Sequence, residues 1–449
     1  MRRLCPLTLY SLLALLTAVA FLGGGCSLGG GSASTTASVA PSTVPPTSGT
    51  TATSAPTSTA PPTSIEQTTS TTRGATTTTA ASTTTTSAKP GGTTTTTAGS
   101  VAGSVSLSTP AGAIKLTARQ LAGQRLIYRY TGPTPPENLL SLIRKGEVAG
   151  VIFFGDNIPS RAQLAKAIAT LEKANDDPGN PVRAPLLLMT DQEGGLVKRL
   201  SGEPLLSEKY IGLSADPVAA ATKAGAGAAA NLAAVGMNLN LAPVLDVYRT
   251  AGDFDDQYRR SYSTDPKVCG QLGAAFIGAQ QKGGVAATAK HFPGLGAATA
   301  TQNTDNRAVT LNIPAATLRS VDELPYKAAI AAGVKLVMLS WAIYPSLDPT
   351  LPAGLSPKIV QGELRERLGF KGVTISDSFG ATAALPFGST RHRALLAAQA
   401  GLDLLLCGSR QIAQDAFGGL YDRYSDGTLP AAGFKAAAQR VVSLRYSLK

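Results

Sequence analysis

The chain has 449 residues, 43% of them hydrophobic and 15% charged, with 40 Lys and Arg against 28 Asp and Glu. That apolar content supports a large buried core and excludes a wholly disordered protein. Two histidines and four cysteines are too few for a zinc-cluster protein or a disulfide-stapled scaffold, so ordinary apolar burial must stabilise the fold. The net charge is +12, of which residues 111–449 carry +9 without a dense basic run. Such a scattered excess suits an anionic surface or polymer and argues against nucleic acid as a partner, because groove reading needs a clustered basic patch.

Residues 1–25 read as an export signal: Met1-Arg2-Arg3 is a basic head, residues 7–22 are apolar, and Gly23-Gly24-Gly25 leads to Cys26. Small residues before a cysteine resemble a bacterial lipobox. The resemblance implies cleavage before Cys26 and a diacylglycerol on its thiol, a lipid anchor in the membrane. Gly23 stands where Leu is usual, with Leu22 one place early, so ordinary secretion and a retained membrane anchor stay open. Residues 26–104 are almost entirely Thr, Ser, Ala, Pro and Gly, with too little apolar surface to offset the entropy of ordering. They read as a disordered tether, spanning roughly 50 Å as a coil.

Residues 105–449 read as one domain, in which short β-branched runs alternate with Ala-rich segments of helical period. Strands are predicted at 125–130, 149–154, 185–190, 237–244, 285–289, 334–340, 372–376 and 402–407, with covering helices such as 161–175 and 217–234. Eight βα units predict a TIM-type (β/α)8 barrel, the α/β class, with a doubly wound open sheet as the alternative.

Polar residues cluster where these runs stop: Asp191 after LLLMT, Asp246 after LAPVL, Lys290 and His291 after VAATA, and Asp377 after GVTIS. In a barrel those positions share one mouth, and the same residues in mid-strand would be costly to bury. Four motifs occur in order: Thr190-Asp191-Gln192-Glu193-Gly194-Gly195-Leu196-Val197-Lys198-Arg199, Arg260-Ser261-Tyr262-Ser263-Thr264-Asp265-Pro266, Lys290-His291-Phe292-Pro293-Gly294-Leu295-Gly296, and Ile375-Ser376-Asp377-Ser378. From about Leu116 to the C-terminus the chain resembles a family 3 glycoside hydrolase of the single-domain β-N-acetylhexosaminidase type. The resemblance implies that Asp377 attacks the anomeric carbon and that water releases the glycosyl-enzyme, a retaining mechanism. It also implies that Asp191, Arg199, Arg260, Lys290 and His291 bind the terminal sugar. Read from the residues alone, Asp377 could instead cap a helix and the basic residues could be structural ion pairs with Asp191 or Glu193. Asp246 stands between site wall and structural anchor, and Gly194 and Gly195 suit close backbone packing.

The family usually carries an Asp-Ser-His element after the Lys-His-Phe-Pro-Gly motif, its His serving as general acid/base. Here the loop reads Asn303-Thr304-Asp305, and the histidines are His291 and His392. Asp305 is therefore the candidate acid/base, provided that burial or the charge of Asp377 raises its pKa, with Arg307 nearby to oppose this. A mobile surface Asp is the competing reading. Trp341, the single tryptophan, could stack on a sugar or fill the core, and Ser378 replaces a frequent second Asp. Cys269 and Cys407 are expected as buried thiols, a disulfide being the alternative. The implied chemistry needs neither cofactor nor metal. The expectation is an exported, lipid-anchored hydrolase that removes terminal β-linked N-acetylglucosamine from peptidoglycan-derived or related saccharides. The rivals are a sugar-binding cell-envelope lipoprotein with impaired catalysis and a structural wall protein; phosphate is an alternative acceptor to water.

Overall fold

The computed structural model describes residues 103–448. The signal at residues 1–25, the lipidation candidate Cys26 and nearly all of the tether lie outside the described residues.

Eight parallel strands form the centre: β1 (Leu126–Tyr128), β2 (Gly150–Ile152), β3 (Leu187–Thr190), β4 (Leu239–Asn240), β5 (Ala286–Phe292), β6 (Leu336–Leu339), β7 (Val373–Ser376) and β8 (Leu405–Leu406). Each pairs with its sequence neighbour, β8 pairs with β1 through Leu405 and Leu126, and a parallel bridge between Ile375 and Leu404 joins β7 to β8. The ring closes as a TIM-type barrel, so all eight predicted strands are present. The fifth runs further than predicted: the hydrogen-bonded ladder continues past Ala289 through Phe292. Lys290 and His291 are therefore strand residues, because the tetrapeptide that carries them is buried and pairs with β6.

Covering helices begin where a side chain can satisfy their free N–H groups. Ser160 caps Arg161–Asn175, Asp216 caps Pro217–Ala233, and Asp265 caps Pro266–Lys282, the last two with proline in the first turn, where its missing N–H costs nothing. Pro217–Ala233 and Pro266–Lys282 pack closely because small residues line the contact; a Cβ on Gly225 would lie 2.2 Å from the Phe276 carbonyl oxygen.

The alternation of the strands decides which residues reach the axis. Ile127, Ile152, Leu187, Met189, Leu336, Met338, Val373, Ile375, Leu404 and Leu406 belong to the interior cluster, whereas Val151, Leu188, Val337 and Leu339 face the helices. The amino-terminal end of the barrel is plugged by the last helix, Ala431–Ser447, whose Val441 and Leu444 join the interior cluster. From that helix Arg445 donates to the carbonyls of Ala184 and Pro185 at 2.8 and 2.9 Å. A hairpin at Val105–Thr109 and Gly112–Leu116 leans on the same helix, Ser108 exchanging two hydrogen bonds with Gln439. With one end sealed, the carboxyl ends of the strands are left for a site. Cys269 and Cys407 are both free and buried, and burial pushes both thiols up, so neither is poised to react at neutral pH.

Candidate active site

Continuing each inward-facing set by one further step of two residues gives the mouth directly. Ile127 leads to Arg129, Ile152 to Phe154, Met189 to Asp191, Thr288 to Lys290, and Ile375 to Asp377. All five line one cavity of about 620 Å3 at the carboxyl end of the barrel, together with Glu193, Arg199, Arg260, His291 and Asp305. Every sequence-predicted catalytic or sugar-binding residue is brought to this one place.

Asp191 opens a ribbon in which Gln192–Gly194 pairs with Val197–Lys198. Its turn needs two glycines: Gly194 has φ 121°, and a Cβ there would lie 2.3 Å from the Leu206 carbonyl oxygen. Gln192, fully buried, clamps the ribbon by accepting from the N–H groups of Arg199 and Leu200 and donating to the carbonyls of Leu200 and Glu203. This clamp sets the direction in which Arg199 leaves the loop.

Behind the cavity face lies an ion-pair network. Lys290 Nζ sits 2.9 Å from Asp191 and 2.7 Å from Glu193. Arg260 grips Glu193 with two parallel bonds of 2.9 and 3.0 Å and reaches Asp255 at 2.7 Å. Burial works against the Glu193 carboxylate, but Arg260 and Lys290 outweigh it and hold its pKa at about 2. Lys290 stays charged for the matching reason: burial would lower it, and Asp191 and Glu193 raise it. Lys290 and Arg260 are thus ion-paired with Asp191 and Glu193, and both still line the cavity.

Asp246 does not line the cavity. Fully buried, it accepts from Leu295 N at 2.6 Å, His291 N at 3.3 Å and His291 Nδ1 at 2.7 Å, so it anchors His291 at the end of β5 and the turn that follows. Burial raises the pKa of Asp246 and, to about 7, that of Asp255. Burial, with Arg260 near Nε2, lowers His291 to about 4; the ring is neutral at pH 7, with its Nδ1 hydrogen toward Asp246. Asp246, Asp255 and His291 bring possible ligand atoms within 4.8 Å of one another. Their fit to a cation is poor, because the Asp246–His291 bond and the Arg260 guanidinium already occupy them.

Asp377 is not a helix cap: the next α-helix, Thr390–Ala400, is capped by Ser389, and Asp377 lines the cavity. Its Oδ1 accepts from Ser378 N at 2.6 Å. Trp341 is a core residue, resting edge-on against Phe379 and donating from Nε1 to the Ser378 carbonyl at 2.8 Å. The indole therefore braces the backbone beside Asp377 from behind. Opposite stands Asp305, held by two backbone bonds to the segment after Asp377: Thr382 N to Asp305 O at 3.0 Å and Ala383 N to Thr304 O at 3.1 Å. Burial and, secondarily, the charge of Asp305 raise the pKa of Asp377; partial desolvation at the cavity raises that of Asp305, although the residue itself is exposed. Arg260 and Lys290 oppose the rise at Asp305, a part expected of Arg307, which is exposed and does not line the cavity. His392 lies on Thr390–Ala400, away from this cavity.

Sequence reasoning missed Arg129 and Phe154 as lining residues and Asp255 as the brace of Arg260. The two-residue step past Ile127 and Ile152 was the signal for the first pair; Asp255 reaches Arg260 through a tight turn in which Arg259 has φ 61°, which no strand period announces.

A model of the glycosyl hydrolase family 3 N terminal domain matches residues 118–444. An uncharacterized secreted glycosyl hydrolase of Arthroderma benhamiae is 42% identical over 347 residues, 76% of this chain and 97% of that protein. A beta-hexosaminidase of Xylella fastidiosa is 33% identical over 308 residues, 67% of this chain and 88% of its own length. Among solved structures, a family 3 β-N-acetylglucosaminidase from Paenibacillus superposes with a TM-score of 0.69 and 30% identity over 74% of this chain and 63% of that one. A β-N-acetylhexosaminidase from Beutenbergia cavernae does so with 0.66 and 31%, over 74% and 98%. The motif order, the closed barrel and these likenesses agree: the chain belongs to glycosyl hydrolase family 3, among the β-N-acetylglucosaminidase-like glycosidases.

Proposed function

We propose that the protein is a retaining exo-glycosidase that releases terminal β-linked N-acetylglucosamine from peptidoglycan-derived or related saccharides. The observation that carries this reading is the convergence of Asp377 and Asp305 on one cavity already lined by Asp191, Arg199, Arg260, Lys290 and His291. Asp377 is the nucleophile: its oxygen bonds to the anomeric carbon as the bond to the leaving oxygen breaks, and Asp305 gives that oxygen its proton. Water then attacks the glycosyl-aspartate, Asp305 takes a proton from it, and the ester to Asp377 breaks. The ion-paired set around Lys290 and Arg260 holds the sugar hydroxyls between fixed charges, which need no reorganisation as the oxocarbenium-like charge develops.

Export with lipidation at Cys26 would place the barrel beside cell-wall saccharides, with membrane attachment through the anchor and the segment 26–104 as spacer. The secreted Arthroderma relative supports the export part of this reading.

The test is hydrolysis of a chromogenic β-N-acetylglucosaminide by the wild type, Asp377→Asn and Asp305→Ala, with the anomer of the first product followed by NMR. Expected are a β product, loss of turnover in Asp377→Asn, and a loss in Asp305→Ala that is greatest for poor leaving groups and partly recovered by azide. Sugar binding without wild-type turnover would instead establish a binding module, and an α product would overturn the retaining step. Repeating the assay in phosphate decides whether the acceptor is water.

A further inference from the structure

Resting on the glycosidase reading, we propose that Arg129 and Arg199 form a subsite for an anionic substituent, a carboxylate or phosphate carried by the saccharide. Both guanidinium groups stack on one ring: that of Arg129 lies 4.5 Å from the centroid of Phe154 and that of Arg199 lies 5.8 Å from it. Stacking fixes a guanidinium by its face and leaves its N–H edge free, the geometry that grips a carboxylate or phosphate with two parallel bonds. These edges are poorly used. Arg129 makes only long contacts, 3.2 Å to Asp156 and 3.4 Å to the Gly408 carbonyl. The guanidinium of Arg199 makes no hydrogen bond to any described residue, and its carboxylate neighbour, Asp191, stands 3.7 Å away and is committed to Lys290. Arg260 and Lys290, by contrast, are closely paired with carboxylates.

Charge balance gives the same result. Arg129, Arg199, Arg260 and Lys290 line the cavity against Asp191, Glu193, Asp305 and Asp377. When Asp305 carries the proton it must donate, the lining is one negative charge short, and the surplus lies at the stacked pair. Asp156, the remaining acid at Arg129, is one-third exposed, so solvent screens it. An anion on the substrate completes the set, whereas a neutral hydroxyl leaves one guanidinium without a charged partner.

Three disaccharides with the same β-N-acetylglucosaminide bond test this: neutral chitobiose, one with a lactyl carboxylate on the reducing-end sugar, and one with a phosphate on C6 of the terminal sugar. The wild type should prefer one acidic substrate over chitobiose in kcat/KM by roughly tenfold or more at low salt, mainly through KM. Which acid is preferred tells whether the anion sits on the leaving or the terminal sugar. Arg129→Gln should bring the preference near parity, and Phe154→Leu, which removes the platform but keeps both charges, should reduce it in part. A wild type indifferent to both acids, or a preference that survives Arg129→Gln, overturns the inference. If no substrate is cleaved, the glycosidase reading fails separately; calorimetric titration of the same sugars then decides, with equal affinity of wild type and Arg129→Gln for the acidic ones counting against the subsite.

Discussion

Replacing Glu193 by Gln should destabilise the barrel in a pH-dependent way, with a size set by the network around it. Glu193 is buried, and its pKa is held at about 2 against an ordinary value of 4.5. That difference corresponds to about 3 kcal/mol of native-state stabilisation, since one pKa unit is worth about 1.4 kcal/mol. Because the folded pKa is depressed, the stabilisation is fully present above pH 4.5 and is lost as the pH falls through the folded value near 2. Glu208 modifies the magnitude. It is buried, accepts from Val244 N through Oε1, leaves Oε2 unpartnered among the described residues, and its pKa is pushed well up by burial and by the charge of Glu193. Removing that charge lets Glu208 ionise toward Arg260 and Lys290, so the single variant should lose less than the full amount, about 1 to 2 kcal/mol, and the pair Glu193→Gln with Glu208→Gln should lose more than the sum of its parts. Denaturant titrations of the four proteins between pH 2 and 7 provide the measurement, and the gap between wild type and variant should close toward pH 2. A gap that is constant across this range, or strict additivity of the two substitutions, would show that Glu193 contributes by packing and not by charge.

Three further outcomes follow from the site. The pKa values of both Asp377 and Asp305 are raised, so kcat/KM should fall on the acid side as Asp377 is protonated and on the alkaline side as Asp305 ionises; Asp305→Asn should abolish the alkaline limb of the pH–rate profile and keep the acid one. Trp341→Phe keeps the ring against Phe379 but deletes the bond to the Ser378 carbonyl, and should lower kcat by about five- to tenfold, a loss of about 1 kcal/mol, with little change in KM; an unchanged kcat would show that the brace has no bearing on Asp377. Gly194→Ala forces a side chain into a left-handed backbone and onto the Leu206 carbonyl, so the melting temperature should drop and Arg199-dependent binding should weaken with it; a variant as stable as wild type would remove the glycine requirement of the ribbon.

How much was legible in the sequence can be seen strand by strand. Short, mainly apolar runs of the right length and spacing declared all eight strands, because burial on both faces leaves no room for charged residues between Leu187 and Thr190 or between Val373 and Ser376. The same property made the carboxyl ends conspicuous, and Asp191 and Asp377 stand out as charges next to runs that exclude charge. The extent of β5 was not legible, because Lys290 and His291 enter a strand only when Asp191, Glu193 and Asp246 are present to receive their polar atoms.

Local pattern by itself determined the eight strands and the polar residues at their carboxyl ends, since hydrophobic period and turn chemistry are short-range properties that a single segment already displays; the parts given to Asp377 and Asp305 came from the likeness of the motifs to family 3 glycoside hydrolases. Only the tertiary structure decided what each charge does. Whether Asp377 caps a helix or faces a cavity, whether Asp305 floats or is tied to residues 382–383, and whether Arg260 is balanced while Arg129 and Arg199 are not, depend on partners from segments far apart in the chain. Electrostatic interaction falls with distance in space and takes no account of distance along the chain, so these roles exist only once the strands have closed into a ring.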